Sequence, residues 1–388
     1  MIPGPGFSMA VRLMSKFAEA TGLSHLSDTQ RRYLWTDAFA VCNFAGFYLE
    51  THDERFKRQS LLLVDQVHRI LGRHRDDDRR EGWISGLGER EGAMHPTVGG
   101  LRIGKEINER GPDDPIDEPL EWDRDGQYFH YLTRWMHALS RVSSITGNPD
   151  FIRWAIELAK TAYARFTYGP RPGQRMMYWK MSIDLSYPLV PSMGHHDPLD
   201  GLITCCELQA NPVAISEAAA DLVGEIEGFA AMCRGRDWTT DDPLGLGGLL
   251  SDIFRVSQLM ANEASPRADL LPALLEASRM GLHAYERTGL LKAPAVYRLP
   301  FRELGLSIGL HALERLNRLF DERPEIFDKK RSLKRQAESL RRYIPMAESI
   351  EAFWLKPAHR EAPTFTDHYD INTVMLATSL APDGYLTV

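Results

Sequence analysis

Cysteine is scarce in this sequence: Cys42, Cys205, Cys206 and Cys233 are the only four among 388 residues. Two are adjacent and none has C-x-x-C spacing, which argues against a disulfide scaffold or a cysteine zinc site. Buried, reduced thiols in a cytoplasmic protein are expected instead. No apolar run approaches the roughly 18 residues of a membrane span. The opening "MIPGPGFSMAVRLMSKFAEA" has no basic stretch followed by a long apolar core, so no signal peptide is expected. Long basic blocks are missing too, and the net charge is −7, so neither nucleic acid nor membrane is an expected partner. Alternating β patterns are rare, with "APAVYRL" the best short one. There is no G-x-S-x-G, Walker A, H-E-x-x-H or C-x-x-C motif, and no metal or cofactor is expected. "DDPID" at 113–117 fits the DDxxD pattern of magnesium–diphosphate sites, but Pro115 breaks it within a loop, and it reads as a solvated acidic segment.

What the chain does have is apolar residues at three- and four-residue spacing. They predict helices near 8–20, 29–50, 54–73, 124–146, 149–167, 198–210, 213–232, 245–262, 267–288, 301–319, 325–350 and 367–380. Tight connections such as "THDE", "GNPD" and "DERPE" alternate with long ones at 74–123 and 168–197. The tight ones read as turns of antiparallel helix pairs. The first helix of each pair opens alike: "WTDAFAV", "DRDGQYF", "PLDGLIT", "GLGGLLS", "RELGLSI" and "HYDINTV". Each has a small or polar pair before an apolar run, and the small residue suits close helix approach. Similar units at uneven spacing indicate a repeat. The sixth first-helix has almost no chain after it, so its partner is expected to be the N-terminal helix, closing a ring.

In these repeated openings the chain resembles the six-hairpin (α/α)6 toroids. That superfamily includes many glycoside hydrolases, the N-acylglucosamine 2-epimerase group and the lanthionine cyclases. The resemblance spans nearly all 388 residues but rests on architecture, not on a catalytic motif. It implies an all-α fold in a single domain, 1–388, with a polar-substrate cleft at the ring's mouth. Geometry points the same way: alternating hairpins bring every long connection to the N-terminal ends of the first helices.

Several stretches supply candidate residues for that mouth. "PSMGHHDPLDG" offers His195 and His196 before Asp197 and Asp200, either as an acid–base pair or merely preceding a capped helix start. Placed on a helix, Asp123, Gln127, His130, Arg134 and His137 form one polar stripe, facing either solvent or a central hollow. Asp123 and Asp125 are carboxylate candidates, with Trp122 and Tyr128 as stacking surfaces. Tyr178, Trp179 and Lys180 alternate like a pocket wall. His95, beside Gly99-Gly100, lies in a stretch that can reach over the mouth. Tyr297, Arg298 and Glu303 precede or open the fifth first-helix; His368, Tyr369 and Asp370 open the sixth.

The expected activity is that of a carbohydrate-active enzyme on a small saccharide. Hydrolysis would use two carboxyl groups, roughly 6.5–9.5 Å apart if inverting and about 5–5.5 Å if retaining. Asp123, Asp125, Asp200, Asp370 and Glu303 are the candidates, and hydrolysis is the first expectation. Epimerisation or isomerisation by histidine is the alternative, through His130, His195, His196 or His368. A non-catalytic ring that binds a ligand or protein is the third reading. If Asp125 and His195 act in catalysis, Asp125→Asn and His195→Ala each abolish turnover with little change in melting temperature. Sequence leaves the oligomeric state open.

Overall fold

Helix after helix begins at a capping residue or proline and stops at a glycine or a sharp turn. The computed structural model describes residues 4–23, 30–171, 174–213, 221–262, 269–327 and 331–388. The chain divides into two compact units, residues 18–235, and residues 1–17 with 236–388. Helix α1 (Pro5–Ala20) opens the chain.

In the 18–235 unit, α2 (Leu34–Thr51) and α3 (Glu54–Leu71) form a hairpin. His52 ends α2 in the left-handed conformation, and the Asp53 carboxylate caps α3 by accepting from Arg55 N–H. The next hairpin, α4 (Phe129–Thr146) and α5 (Pro149–Phe166), turns at Gly147, whose φ is 68°, and at Asn148, which accepts from Asp150 N–H. Then come α6 (Asp197–Gln209) and α7 (Val223–Cys233). The expected helix over 213–232 falls partly outside the described residues.

Burial separates the two members of a hairpin. From Leu34 to Ala45, α2 is buried on every side; α6 is buried from Asp197 to Leu208 and α4 from Leu132 to Ser143. By contrast, α3 buries one face, Leu63, Val64, Val67 and Leu71, under a polar exterior. A helix covered all round has neighbours all round. Thus α4 packs on both α2 and α6, and their partners lie outside.

In the other unit, α8 (Pro243–Ala261), α10 (Pro300–Glu322) and α13 (Tyr369–Leu380) are the covered helices. Between them run α9 (Leu271–Thr288), α11 (Arg331–Leu340) and α12 (Pro345–Trp354). The α8 and α10 backbones touch at glycine. A Cβ on Gly247 would lie 2.0 Å from Gly305 O, and one on Gly309 2.6 Å from Gly247 Cα. This is the role that the repeated small residue suggested. The first turn of α1 meets the end of α13, where a Cβ on Gly6 would sit 3.4 Å from Leu380 O.

Several expectations fail. A single helix over 325–350 is replaced by a short turn at Pro324–Phe327, α11, a 3-10 turn at Arg341–Tyr343, and α12. Pro345 has no N–H to continue the ladder and starts a new helix instead. "APAVYRL" is no strand: Ala295–Tyr297 is one 3-10 turn with Tyr297 73% exposed. Strands occur where none was expected: β1 (Gln127–Tyr128) within the helix expected over 124–146, and β2 (Thr167–Arg171), β3 (Gln174–Met177), β4 (Lys180–Met181) and β5 (Pro188–Val190) along the long connection that follows the helix expected over 149–167. They form antiparallel β1–β4–β5 and β2–β3 sheets. All four cysteines are buried thiols. Among the described residues no helix is long and apolar enough to cross a membrane.

One buried group gives this fold an acid sensitivity. His68 on α3 is 4% exposed, and its Nε2 accepts from Trp135 Nε1 at 3.1 Å. Burial pushes its pKa down from 6.5 to about 3. Between those values the unfolded chain binds a proton that the folded one refuses, so stability falls as pH falls. Urea unfolding at pH 7 and pH 5 is expected to show a loss of about 2 kcal/mol from this group. His68→Phe should lack that increment, and identical losses in both proteins would contradict the assignment.

Candidate active site

The long segments before α4 and α6 are fastened by buried charges. Asp125, fully buried, accepts from Arg102 Nη1 at 2.7 Å, Gly104 N at 3.0 Å and Arg75 Nη1 at 3.3 Å. The Glu121 carboxylate accepts from Lys180 Nζ and Arg110 Nε, both at 3.1 Å. Gln127 accepts from Leu101 N at 2.8 Å and donates to Gly99 O at 3.0 Å and Ile183 O at 2.6 Å. Gly126, at φ 145°, passes so close to Leu189 and Met181 that a Cβ would overlap both. Asp125, Gln127 and Lys180 therefore tie three segments together beneath the surface. Asp123 is exposed, and α4 begins only at Phe129, so the helical stripe is shorter than the spacing suggests: His130, Arg134 and His137. Of these, His137 Nδ1 lies 2.7 Å from Glu207 in the packed interior.

Above this floor lies an aromatic surface. Pairing of β1 with β4 sets Tyr128 opposite Lys180, and the Lys180 ammonium lies 5.4 Å from the Tyr128 ring centre. Trp122, more than half exposed, leans on Trp179 at 5.0 Å. Trp179 stacks on Tyr128 at 5.1 Å, and Tyr128 stacks on His130 at 5.6 Å. Tyr131 meets His130 edge-on at 4.9 Å, and Trp35 meets Tyr131 at 5.2 Å. Tyr33 and Tyr131 share a hydrogen bond of 2.8 Å between hydroxyls. Lys105, whose ammonium donates to Trp122 O, lies 5.9 Å from the Tyr33 ring.

The residues at its inner end come from the first turns of three helices. Tyr33 and Trp35 start α2, His130 and Tyr131 start α4, and Asp197 and Asp200 start α6. His130 Nδ1 is 3.7 Å from Asp197 Oδ1, and Arg134 Nη2 donates to both Asp200 oxygens at 3.1 and 3.2 Å. Burial, with Arg134 adding to it against Asp200, pushes the His130 pKa down to about 4. Burial raises that of Tyr33 to about 12, with Asp125 adding to it. Burial lowers that of Lys105, against Asp123 and Asp125. At neutral pH the histidine is an uncharged base and the tyrosine a donor. Two buried donors here, Trp35 Nε1 and the Tyr128 hydroxyl, make no hydrogen bond.

The remaining sequence candidates are placed elsewhere or differently. His195 is exposed and His196 is the N-cap of α6, their rings 4.6 Å apart at the edge of the cluster. Asp197 is the first residue of α6 rather than its cap. His95 Nδ1 lies 2.7 Å from Glu157 of α5, on the outside of the hairpins. Tyr178 stacks on Tyr168 at 4.4 Å, away from Trp179's partners. In the other unit Arg298 is buried against Glu303, with Nη2–Oε2 at 2.6 Å and the guanidinium 3.6 Å from the Phe353 ring centre. Trp354 Nε1 also donates to Glu303. That pair is committed to packing. His368 and Tyr369 are exposed and Asp370 partly so, at the start of α13. Sequence reasoning passed over Tyr33, Trp35, Lys105 and Tyr131. "RRYLWTD" carries the only hint, two aromatic residues at a helix start. Among the described residues no group of three His, Cys, Asp or Glu side chains is arranged to hold a metal.

No protein-family model matches this chain, and no curated protein does. Solved structures do. A sugar epimerase from a ruminal bacterium is similar over 96% of this chain and 98% of its own, at 9% identity and a TM-score of 0.52. Cellobiose 2-epimerase from Spirochaeta thermophila is similar over 90% and 86%, at 12% identity and 0.48. A polysaccharide lyase aligns over 75% and 85%, at 12% identity and 0.33. With its hairpins, its covered first helices and the ruminal enzyme's structure alike, the chain has the (α/α)6-toroid fold.

Proposed function

We propose that this protein is a carbohydrate-active enzyme that moves a proton on an open-chain sugar, as an epimerase or isomerase. His130 carries the reading. It is uncharged at neutral pH, sits against aromatic rings, has a carboxylate 3.7 Å from Nδ1, and receives no hydrogen bond at Nε2 from any described residue. Nε2 would take the proton from the carbon beside the sugar carbonyl, leaving an imidazolium near Asp197 and an enediolate. The Tyr33 and Tyr131 hydroxyls and the Lys105 ammonium are the donors available to the new oxyanion. Return of the proton by the same imidazolium to the neighbouring carbon completes isomerisation, and epimerisation requires the enediolate to turn its other face to His130 before the proton returns. Trp122, more than half exposed, and the partly exposed Trp179 would hold the apolar face of a further, closed ring of the substrate. The similar ruminal structure is named as a sugar epimerase, which agrees with this.

Hydrolysis, the first expectation from sequence, fares less well on charge. It needs one carboxyl group kept protonated. Three of its carboxylate candidates, Asp125, Asp200 and Glu303, are each engaged in an ion pair with arginine. The test is incubation with free aldoses, N-acetylated aldoses, β-linked disaccharides and aryl glycosides, with products followed by NMR. Interconversion of free sugars supports the proposal. Cleavage of glycosides without interconversion refutes it, and binding without any product supports a non-catalytic ring.

A further inference from the structure

A cavity of about 510 Å³ lies on the outer side of the hairpins. Its walls are the polar-exterior side of α3, the start of α5, and the segment 83–96 with its short helix Glu89–Met94. Leu61, Val64, Pro96, Phe151 and Trp154 supply apolar surface. The size is that of a small-molecule site.

Beneath four charged residues at its rim, two of the polar groups that line it are buried. Trp135 can only donate, so the His68 Nε2 that meets it is an acceptor, and the neutral ring carries its proton on Nδ1. His68 lines the cavity, 96% buried by its 4% exposure, and no described residue accepts from Nδ1–H. Trp83 Nε1–H is a second buried donor without a partner. The Trp83 indole is clamped: the Arg73 guanidinium lies 4.8 Å from its centre, and a Cβ on Gly92 would come within 2.3 Å of it. At the rim, Arg69 pairs with Asp65 and Arg73 with Glu89, so the charges there cancel in pairs.

We infer that this cavity is a binding site for a neutral, largely apolar small molecule, aromatic or alicyclic, that presents an oxygen acceptor to His68 and Trp83. Apolar walls reward ring burial, and two unmatched N–H donors select the acceptor. The balanced rim gives no pull to a charged ligand. This site is separate from the His130 cluster and does not depend on the reaction proposed there.

The test uses 19F NMR titration of the whole protein with 4-fluoroacetophenone and, as its acceptor-free counterpart, 4-fluoroethylbenzene. The ketone is expected to bind saturably and about tenfold more tightly than the hydrocarbon. His68→Phe should erase most of that preference while the hydrocarbon's affinity changes little. Leu61→Trp, or Ala93→Trp from the opposite wall, should abolish saturable binding of both in a protein with wild-type circular dichroism. Absence of saturation with the ketone, an equal affinity for both probes, or unchanged binding in both folded blocking variants would each overturn the inference.

Discussion

Replacing His130 with glutamine is expected to lower turnover at least a hundredfold while the melting temperature moves by a few degrees at most. Removal of a general base typically costs about 10²–10⁴ in rate. The structural cost is small for identifiable reasons. His130 sits in the first turn of α4, its side chain is 30% exposed, and its ion-pair partner, Asp197, lies at 3.7 Å. Glutamine keeps the length and a polar end near Asp197 but cannot take a proton. The measurement is the rate on the sugar that the product screen identifies, beside a thermal melt. A variant that retains most of its turnover would remove His130 from the chemistry. His195→Ala, expected from sequence to be as damaging, is predicted to be milder, because His195 is exposed at the edge of the cluster.

Asp125→Asn is the second large effect, and it falls on stability. Asp125 faces two guanidinium groups and a backbone N–H and is fully buried. An asparagine there turns an NH2 group toward Arg102 or Gly104 and leaves buried cationic charge uncompensated, at a cost of about 3–5 kcal/mol. For a unit of this size that lowers the melting temperature by roughly 10 °C. Adding Arg102→Met should return part of the loss, because it removes the stranded charge. An Asp125→Asn protein that melts like wild type but is inactive would restore the catalytic reading drawn from sequence. The sequence did not reveal this packing for a physical reason. Arg102 and Arg75 lie 23 and 50 residues from Asp125, and no local pattern reveals that they meet it.

Helices and hairpin turns were readable because their causes are local. The Asp53 and Asn148 caps, Gly147 and Pro149 act within a few residues, and the buried stripe of α3 recurs along its own length. The repeated small residue was readable too, and Gly247 with Gly305 shows why it is needed. The start of α4 was misjudged by five residues because Gly126 and the β1–β4 pairing override a helix-like spacing. Pairing of Gln127 with Met181 is set by distant chain, as is the stack of Tyr128 on Trp179. Of the residues gathered in the candidate site, Trp122, Tyr128, His130 and Trp179 were singled out from sequence, near first-helix N-termini. Tyr33, Trp35, Lys105 and Tyr131 enter it through contacts that span up to 98 residues, beyond any periodicity.

The account turns on proton transfer at carbon, and solvent deuterium reads that step directly. In D2O the wild-type protein should place deuterium on the carbon beside the carbonyl of the sugar it converts, seen by NMR and mass spectrometry, and His130→Gln should not. Turnover of a glycoside that leaves every carbon-bound hydrogen in place, in wild type and variant alike, would contradict it.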